Sequence, residues 1–137
     1  MSKDLENFRQ QIVEKKHPIT YTLLKCLNFV EIHPEYASQI GCLWNSNDSI
    51  SMNSIIFSNF ISRNVPTVHK YLRYTGFRCN KMSSNSKKQI PEKFNFQNFS
   101  HQSNWHQRLC KGFNKNTTDD EARNMKYKLK HIKNPNN

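Results

Sequence analysis

Residues 53–77 read NSIIFSNFISRNVPTVHKYLRYTGF. Asn53 suits an N-cap, and Ile55, Ile56, Phe60 and Ile61 recur at helical spacing, which predicts a first short helix with one apolar face. Ser62, Arg63 and Asn64 break the pattern. Pro66 suits the first turn of a second helix, where its missing N–H is no loss. Within that helix Val65, Val68 and Leu72 point one way, whereas Thr67, His69, Lys70, Arg73 and Tyr74 are left on the other sides. Gly76 is a natural stop just past the end. Two short helices, the second gripping the first by its apolar side and offering a cationic, donor-rich side to solvent, meet the requirement of a helix-turn-helix whose second helix enters a DNA major groove. The same residues also fit an ordinary helical hairpin with a solvated polar face.

The charge supports the first of these readings by its distribution. The chain of 137 residues carries 21 Lys+Arg against 10 Asp+Glu, a formal net charge of +11. Residues 78–115 hold Arg78, Lys81, Lys87, Lys88, Lys93, Arg108, Lys111 and Lys115 against Glu92 alone, so most of the excess follows the second helix. Such a patch favours a polyanion through release of condensed counterions. No long apolar stretch or lipidation motif points to a membrane.

Before residue 53 the chain reads as a short amphipathic helix over 3–15, carried by Leu5, Phe8 and Ile12, and a longer one over 18–32. The second buries Ile19, Leu23, Leu24, Cys26 and Leu27, with Lys16 and His17 at its start, where they face a phosphate or only solvent. Residues 35–40 form one helical turn closed by Gly41. Cys42 to Trp44 suit a strand, Asn45 to Asp48 a turn, and Ser49 to Met52, in which Ile50 and Met52 alternate with serines, a half-buried strand. Trp44 and Trp105 read as core aromatics. After Phe77, Arg78–Lys81 predict a strand and Trp105–Leu109 a returning strand. Between them SSNSKKQ is polar and expected to be mobile, and Phe94, Phe96 and Phe99 are expected to pack on the domain rather than stack on unpaired bases. A strand, long loop and strand following a recognition helix make a wing, and a Lys-rich wing suits the DNA backbone or minor groove. Thr118 and Glu121 have capping-box spacing, and Ala122, Met125, Leu129 and Ile132 continue an amphipathic helix that ends in Lys126, Lys128, Lys130 and Lys133.

The N-terminus, MSKDLENF, is too polar for a signal peptide, so the expected location is the nucleocytoplasmic space, with Cys26, Cys42, Cys79 and Cys110 as reduced thiols. A zinc site can be drawn through Cys79, His101, His106 and Cys110, but the spacing fits no common zinc pattern, and separate buried thiols are expected instead. No paired-carboxylate, nucleophile or phosphate-loop pattern stands out, so the chain reads as no enzyme and needs no cofactor or metal.

With these residues in view, the chain resembles the initiator-binding domain of trichomonad core-promoter-binding proteins from about Pro18 to Phe113. HPEYASQIGCLWNSNDSISM is similar to the family's short helix ending in Ile-Gly, its Trp-containing strand, its turn and its Met-ending strand. The helix from Asn53 to Ile61 and VPTVHKYLRYTGF are similar to the family's helix-turn-helix, with Thr67, Leu72, Arg73 and Phe77 in register, and NWHQRLCKGF to its closing strand. The chain departs from the family where a basic Arg-Phe-Pro-Arg-Lys segment precedes the first long helix. Here Lys16, His17, Pro18, Ile19 and Thr20 stand there. The wing is longer, and Pro66, His69 and Tyr71 replace family Asn residues. A narrower resemblance links HKYLRYTGFRCNK to heat-shock-factor domains.

The resemblance implies an α+β fold, a winged helix-turn-helix with an extended wing and extra N- and C-terminal helices. It would comprise an arm or short helix over 1–17, a DNA-binding domain over 18–115 and a basic amphipathic helix and tail over 116–137. It also implies a nuclear protein that reads a core promoter element, the initiator or a related motif, in RNA polymerase II initiation. Family members usually carry a C-terminal polymerase-engaging domain, so the chain is expected to be a DNA-binding fragment or a short paralogue. Expected base contacts are Thr67, His69, Lys70 and Arg73, and expected backbone contacts Lys16, His17, Lys81, Lys87, Lys88 and Arg108. The expected partners are double-stranded promoter DNA and the transcription machinery, with no membrane and with the chain as a monomer. The alternatives are an RNA or single-strand binder and a protein-interaction adaptor.

Overall fold

The computed structural model describes residues 2–125. The chain forms α1 (Lys3–Glu14), α2 (Ile19–Ile32), α3 (Ala37–Ile40), β1 (Cys42–Trp44), β2 (Ser49–Asn53), α4 (Ser54–Phe60), α5 (Val65–Tyr74), β3 (Arg78–Lys81), α6 (Ser84–Lys88), β4 (Trp105–Leu109) and α7 (Asp119–Arg123), with short 3-10 turns between. The class is α+β. The four strands make one antiparallel sheet in the order β1-β2-β4-β3.

Local chemistry sets the boundaries. Asn53 closes β2 and caps α4, its Oδ1 accepting from the N–H groups of Ile55 and Ile56. Asn64 caps α5 through the N–H of Thr67 at 2.9 Å, with Pro66 in the first turn. At the far end Gly76 takes φ 100°. The Gly76 and Phe77 N–H groups then reach back to the carbonyls of Arg73 and Leu72, a Schellman closure that turns the chain straight into β3. Gly41, at φ 91°, ends α3 where an added Cβ would lie 2.6 Å from the backbone N of Phe57, so only glycine lets α3 and α4 approach this closely.

Residues paired directly across an antiparallel ladder share a sheet face. On the inner face Cys42, Trp44, Ile50 and Met52 meet the helices, and His106, Arg108, Cys79 and Lys81 continue that face to the edge strand. The core there is built from Leu23, Leu24, Leu27, Val30, Phe57, Val68 and Leu72, all fully buried. α1 joins it through Leu5 and Ile12 and by a stack of Phe8 on Phe29, centroids 4.0 Å apart.

The outer face differs from expectation. β2 is not half-buried: all five of its residues are buried. The cause is the long segment between β3 and β4, which folds over the sheet. Met82 crosses to this face, where its Sδ lies 3.5 Å from the Ser51 hydroxyl. Ile90, Phe94 and Phe96 are buried, and Phe96 and Phe99 pack on Trp105. Lys93 pairs with Glu31 of α2 at 2.5 Å. SSNSKKQ, expected to be mobile, forms α6, capped by Ser83.

Two further expectations are corrected. Ile55 does not belong to the apolar face of α4 and is 54% exposed, whereas Phe57 takes the inward place. The four cysteines are not all separate buried thiols. Cys79 is exposed, and Cys26 and Cys42 touch, so that burial first and the neighbouring thiol second push the Cys42 thiol up. The capping box of Thr118 and Glu121 is present, and Ala122 is buried against α2, its carbonyl accepting from Thr20. Leu129, Ile132 and the lysines from 126 onward lie outside the described residues.

Candidate nucleic-acid interface

α5 is held by Val68 and Leu72, both fully buried, which fixes its rotation. His69, Lys70 and Arg73 are then exposed and Thr67 half-buried, so the four residues expected at base edges lie on the outward half of one helix. No carboxylate occurs anywhere in α5.

The cations on this face are not loose. Lys70 Nζ lies 5.5 Å from the Tyr71 ring centroid and 5.9 Å from that of Tyr74. The Arg73 guanidinium lies 5.9 Å from the Tyr74 centroid. The two rings meet edge-on, 6.2 Å apart at 86°. Cation–π contact of this kind is worth about 0.5–1 kcal/mol at an exposed site.

On one flank of α5, Thr67 and Tyr71 line an open cleft of about 530 Å³ together with Lys15, Lys16, Arg63 and Asn64. Thr22 also lines it, and among the described residues its buried hydroxyl has no partner. A neighbouring cleft of about 310 Å³ shares Lys16, Arg63 and Tyr71 and adds His17 and Thr20. Lys16 is exposed and His17 half-buried. Arg63, in the turn between α4 and α5, donates to the His17 carbonyl and so ties that turn to the start of α2. His17 titrates below the ordinary imidazole value, first through burial and then through Arg123, Lys15 and Arg63. Arg63 and Lys15, which line the cleft with Thr67, are not among the residues the sequence marks as contacts. Only their place in the fold, beside Thr67, marks them.

The other flank runs toward β4. His69 also titrates below its ordinary value, through burial first and then through Arg108 and His106. Arg108 itself is only 3% exposed, which corrects the expectation of a surface cation meeting a phosphate. It lies on the inner sheet face, Nη2 donating to Ser54 Oγ at 3.1 Å, with Nε buried and without a partner among the described residues. Among the described residues no carboxylate forms an ion pair with it. A guanidinium stays charged even when burial lowers its pKa, so a fixed positive charge stands beneath this flank.

The remaining expected residues are dispersed. Lys81 is exposed at the end of the edge strand, opposite His106. Lys87 and Lys88 sit on α6, whose Ser86, with Gln89 just past its end, shares a cleft with Asn45, Asp48, Ser49 and Gln107. That is the outer face of the sheet, away from α5. Phe94 and Phe96 are buried and offer no stacking platform for bases. Among the described residues no three His, Cys, Asp or Glu side chains converge on a metal-sized site, and no helix is long and apolar enough to cross a membrane.

An α+β domain that presents a carboxylate-free cationic helix, with further cations on both flanks, defines a class of nucleic-acid-binding module. The family model of the transcription-initiator DNA-binding domain matches residues 1–115, and the chain belongs to that family. The family is one of DNA binding in transcription initiation and not of enzymes. The match begins at residue 1 and so takes in α1, ahead of the start at Pro18 read from the sequence. No curated protein and no solved structure matches the chain.

Proposed function

We propose that this chain is a sequence-specific, double-stranded DNA-binding domain that recognises a core promoter element, the initiator or a related motif, in nuclear transcription by RNA polymerase II. In this reading the domain is a winged helix-turn-helix and acts as a monomer. α5 enters the major groove. Arg73 makes a bidentate contact to guanine, and Thr67, His69 and Lys70 meet neighbouring base edges or phosphates. Lys16 and His17 meet the backbone on one flank. Lys81 meets the backbone or the minor groove on the other, and Lys87 and Lys88, farther along the basic wing, add a weaker contact.

One observation carries the reading: Val68 and Leu72 are fully buried while His69, Lys70 and Arg73 stand exposed on the same helix. The experiment is selection of preferred duplexes from a random pool at physiological salt, followed by competition of the selected duplex against a scrambled one. A single enriched motif is expected. Arg73→Ala is expected to cost about 1–3 kcal/mol on the selected duplex and to relax one position. Equal weakening on both duplexes would reject the base-reading role.

A further inference from the structure

The four residues expected to read bases do not explain how the two longest among them are kept in place. Lys and Arg side chains on a bare helix sample many rotamers, and a contact that must order them at binding loses that freedom. On α5 both have an aromatic ring within reach before any duplex is bound. Lys70 lies within cation–π distance of both tyrosines, and Arg73 within that distance of Tyr74. The spacing explains the geometry: Lys70 and Tyr74 are four apart, and Tyr71 and Tyr74 three apart, so all three meet on one side of the helix. Tyr74 is half-buried, so its ring is anchored while the cations remain exposed. The edge-on contact with Tyr71 fixes the ring's tilt.

We propose that Tyr74 is a positioning residue for DNA recognition: its ring, braced by Tyr71, holds Lys70 and Arg73 in the arrangement that distinguishes the preferred duplex from others. The inference rests on the reading that Arg73 meets a base edge. Tyr74 acts through the cations and needs no DNA contact of its own, and the ring rather than the hydroxyl is the working part.

The test is competition between the selected duplex and its scrambled version at physiological salt, for Arg73→Ala, Tyr74→Leu, Tyr74→Phe and the double substitution Arg73→Ala/Tyr74→Leu. Tyr74→Leu should lower the discrimination ratio by about three- to tenfold, and Tyr74→Phe should keep it within about twofold of the parent. The double substitution should lose less than the product of the two single losses, because both act through one contact. A separate reading on the unmutated domain does not depend on how any variant folds. In its proton NMR spectrum the ring currents should move the Lys70 ε-methylene and Arg73 δ-methylene signals upfield of their random-coil positions.

If Arg73→Ala lowers discrimination and Tyr74→Leu does not, the positioning role is overturned while the base-reading role stands. If Arg73→Ala leaves discrimination unchanged, the base-reading role fails and this inference with it. Equal losses in Tyr74→Leu and Tyr74→Phe would assign the effect to the hydroxyl and overturn the proposal. So would random-coil shifts for both methylenes.

Discussion

Arg9 of α1 donates from Nε to the carbonyl of Phe60 at 2.8 Å, the last residue of α4. Its Nη2 reaches the Ser62 hydroxyl at 2.8 Å, at a residue whose φ of 60° is left-handed. The N-terminal helix therefore clasps the turn that sets the angle between α4 and α5. Arg9→Ala is expected to cost about 1–2 kcal/mol, through removal of two charged hydrogen bonds at a helix end in a partly exposed place. Arg9→Lys should recover little, since one ammonium does not reproduce the two-pronged contact. Chemical denaturation checks both, and an unchanged midpoint for Arg9→Ala would show that the clasp is idle.

The dispersal of the basic residues predicts unequal salt effects. Removing one cation that meets a phosphate should reduce the slope of log affinity against log salt by about 0.9. Lys16→Ala and Lys81→Ala are each expected to do so, on selected and scrambled duplexes alike. Lys87→Ala/Lys88→Ala together should do less than Lys81→Ala alone, because α6 lies over the outer sheet face. Lys93→Ala should leave the slope unchanged, since that ammonium is taken up by Glu31. Titrations by fluorescence anisotropy at several salt concentrations decide among these, and a large effect at Lys87 and Lys88 would place the duplex further round the domain.

Arg108 predicts a split between stability and binding. Replacing a buried charge that no carboxylate among the described residues compensates by an apolar side chain of similar length costs little, so Arg108→Met should stay within about 1 kcal/mol of the parent. Both variants lose the hydrogen bond to Ser54, but Arg108→Ala also leaves space, and should lose about 1–3 kcal/mol. Both should weaken binding to every duplex, since each removes a fixed positive charge under the helix. The contrast is read by thermal unfolding alongside binding. Equal destabilisation by Met and Ala would mean that the charge itself holds the fold.

The histidines give a pH dependence whose sign follows from their direction of shift. His17 and His69 both titrate below the ordinary value of 6.5 in the folded chain. The unfolded chain therefore binds protons first as pH falls. Their contribution to stability is full above about pH 6.5, begins to be lost as pH falls through that value, and is gone below their depressed folded values. The melting temperature should fall from pH 7.5 to pH 5.5, and His17→Gln/His69→Gln should flatten that fall. DNA affinity should move the opposite way over the same window, because a duplex supplies the negative charge that favours the imidazolium. A parallel fall in both would mean that neither ring lies near phosphate.

Much of this arrangement is legible in the sequence, and the exceptions share a cause. β3 and β4 fall where Gly76 and Trp105 mark them, and the caps at Asn53 and Thr118 act through neighbours within three residues. Signals of that range survive reading along the chain. Ile55 is easily misplaced because two adjacent isoleucines fit either phase of a short helix, and the phase is fixed by Phe57 packing against distant residues. Ser49 and Ser51 look like solvent-side residues, and nothing local announces that Met82 and its successors will cover them. Arg108 reads as a surface cation for the same reason. For the candidate interface, the placement of the four α5 residues on the outward half of the helix follows from helical spacing alone. Arg63 and Lys15 need the fold, and so does the approach of the two tyrosine rings to Lys70.

The closure of β2 on both sides has a consequence for how this chain tolerates change. A strand with one wet side normally alternates between strict and permissive positions. β2 has no permissive position, since all five of its residues are interior. A saturation library should be depleted along the whole strand without a two-residue rhythm, and the segment after Met82 should accept length changes as poorly as a core helix.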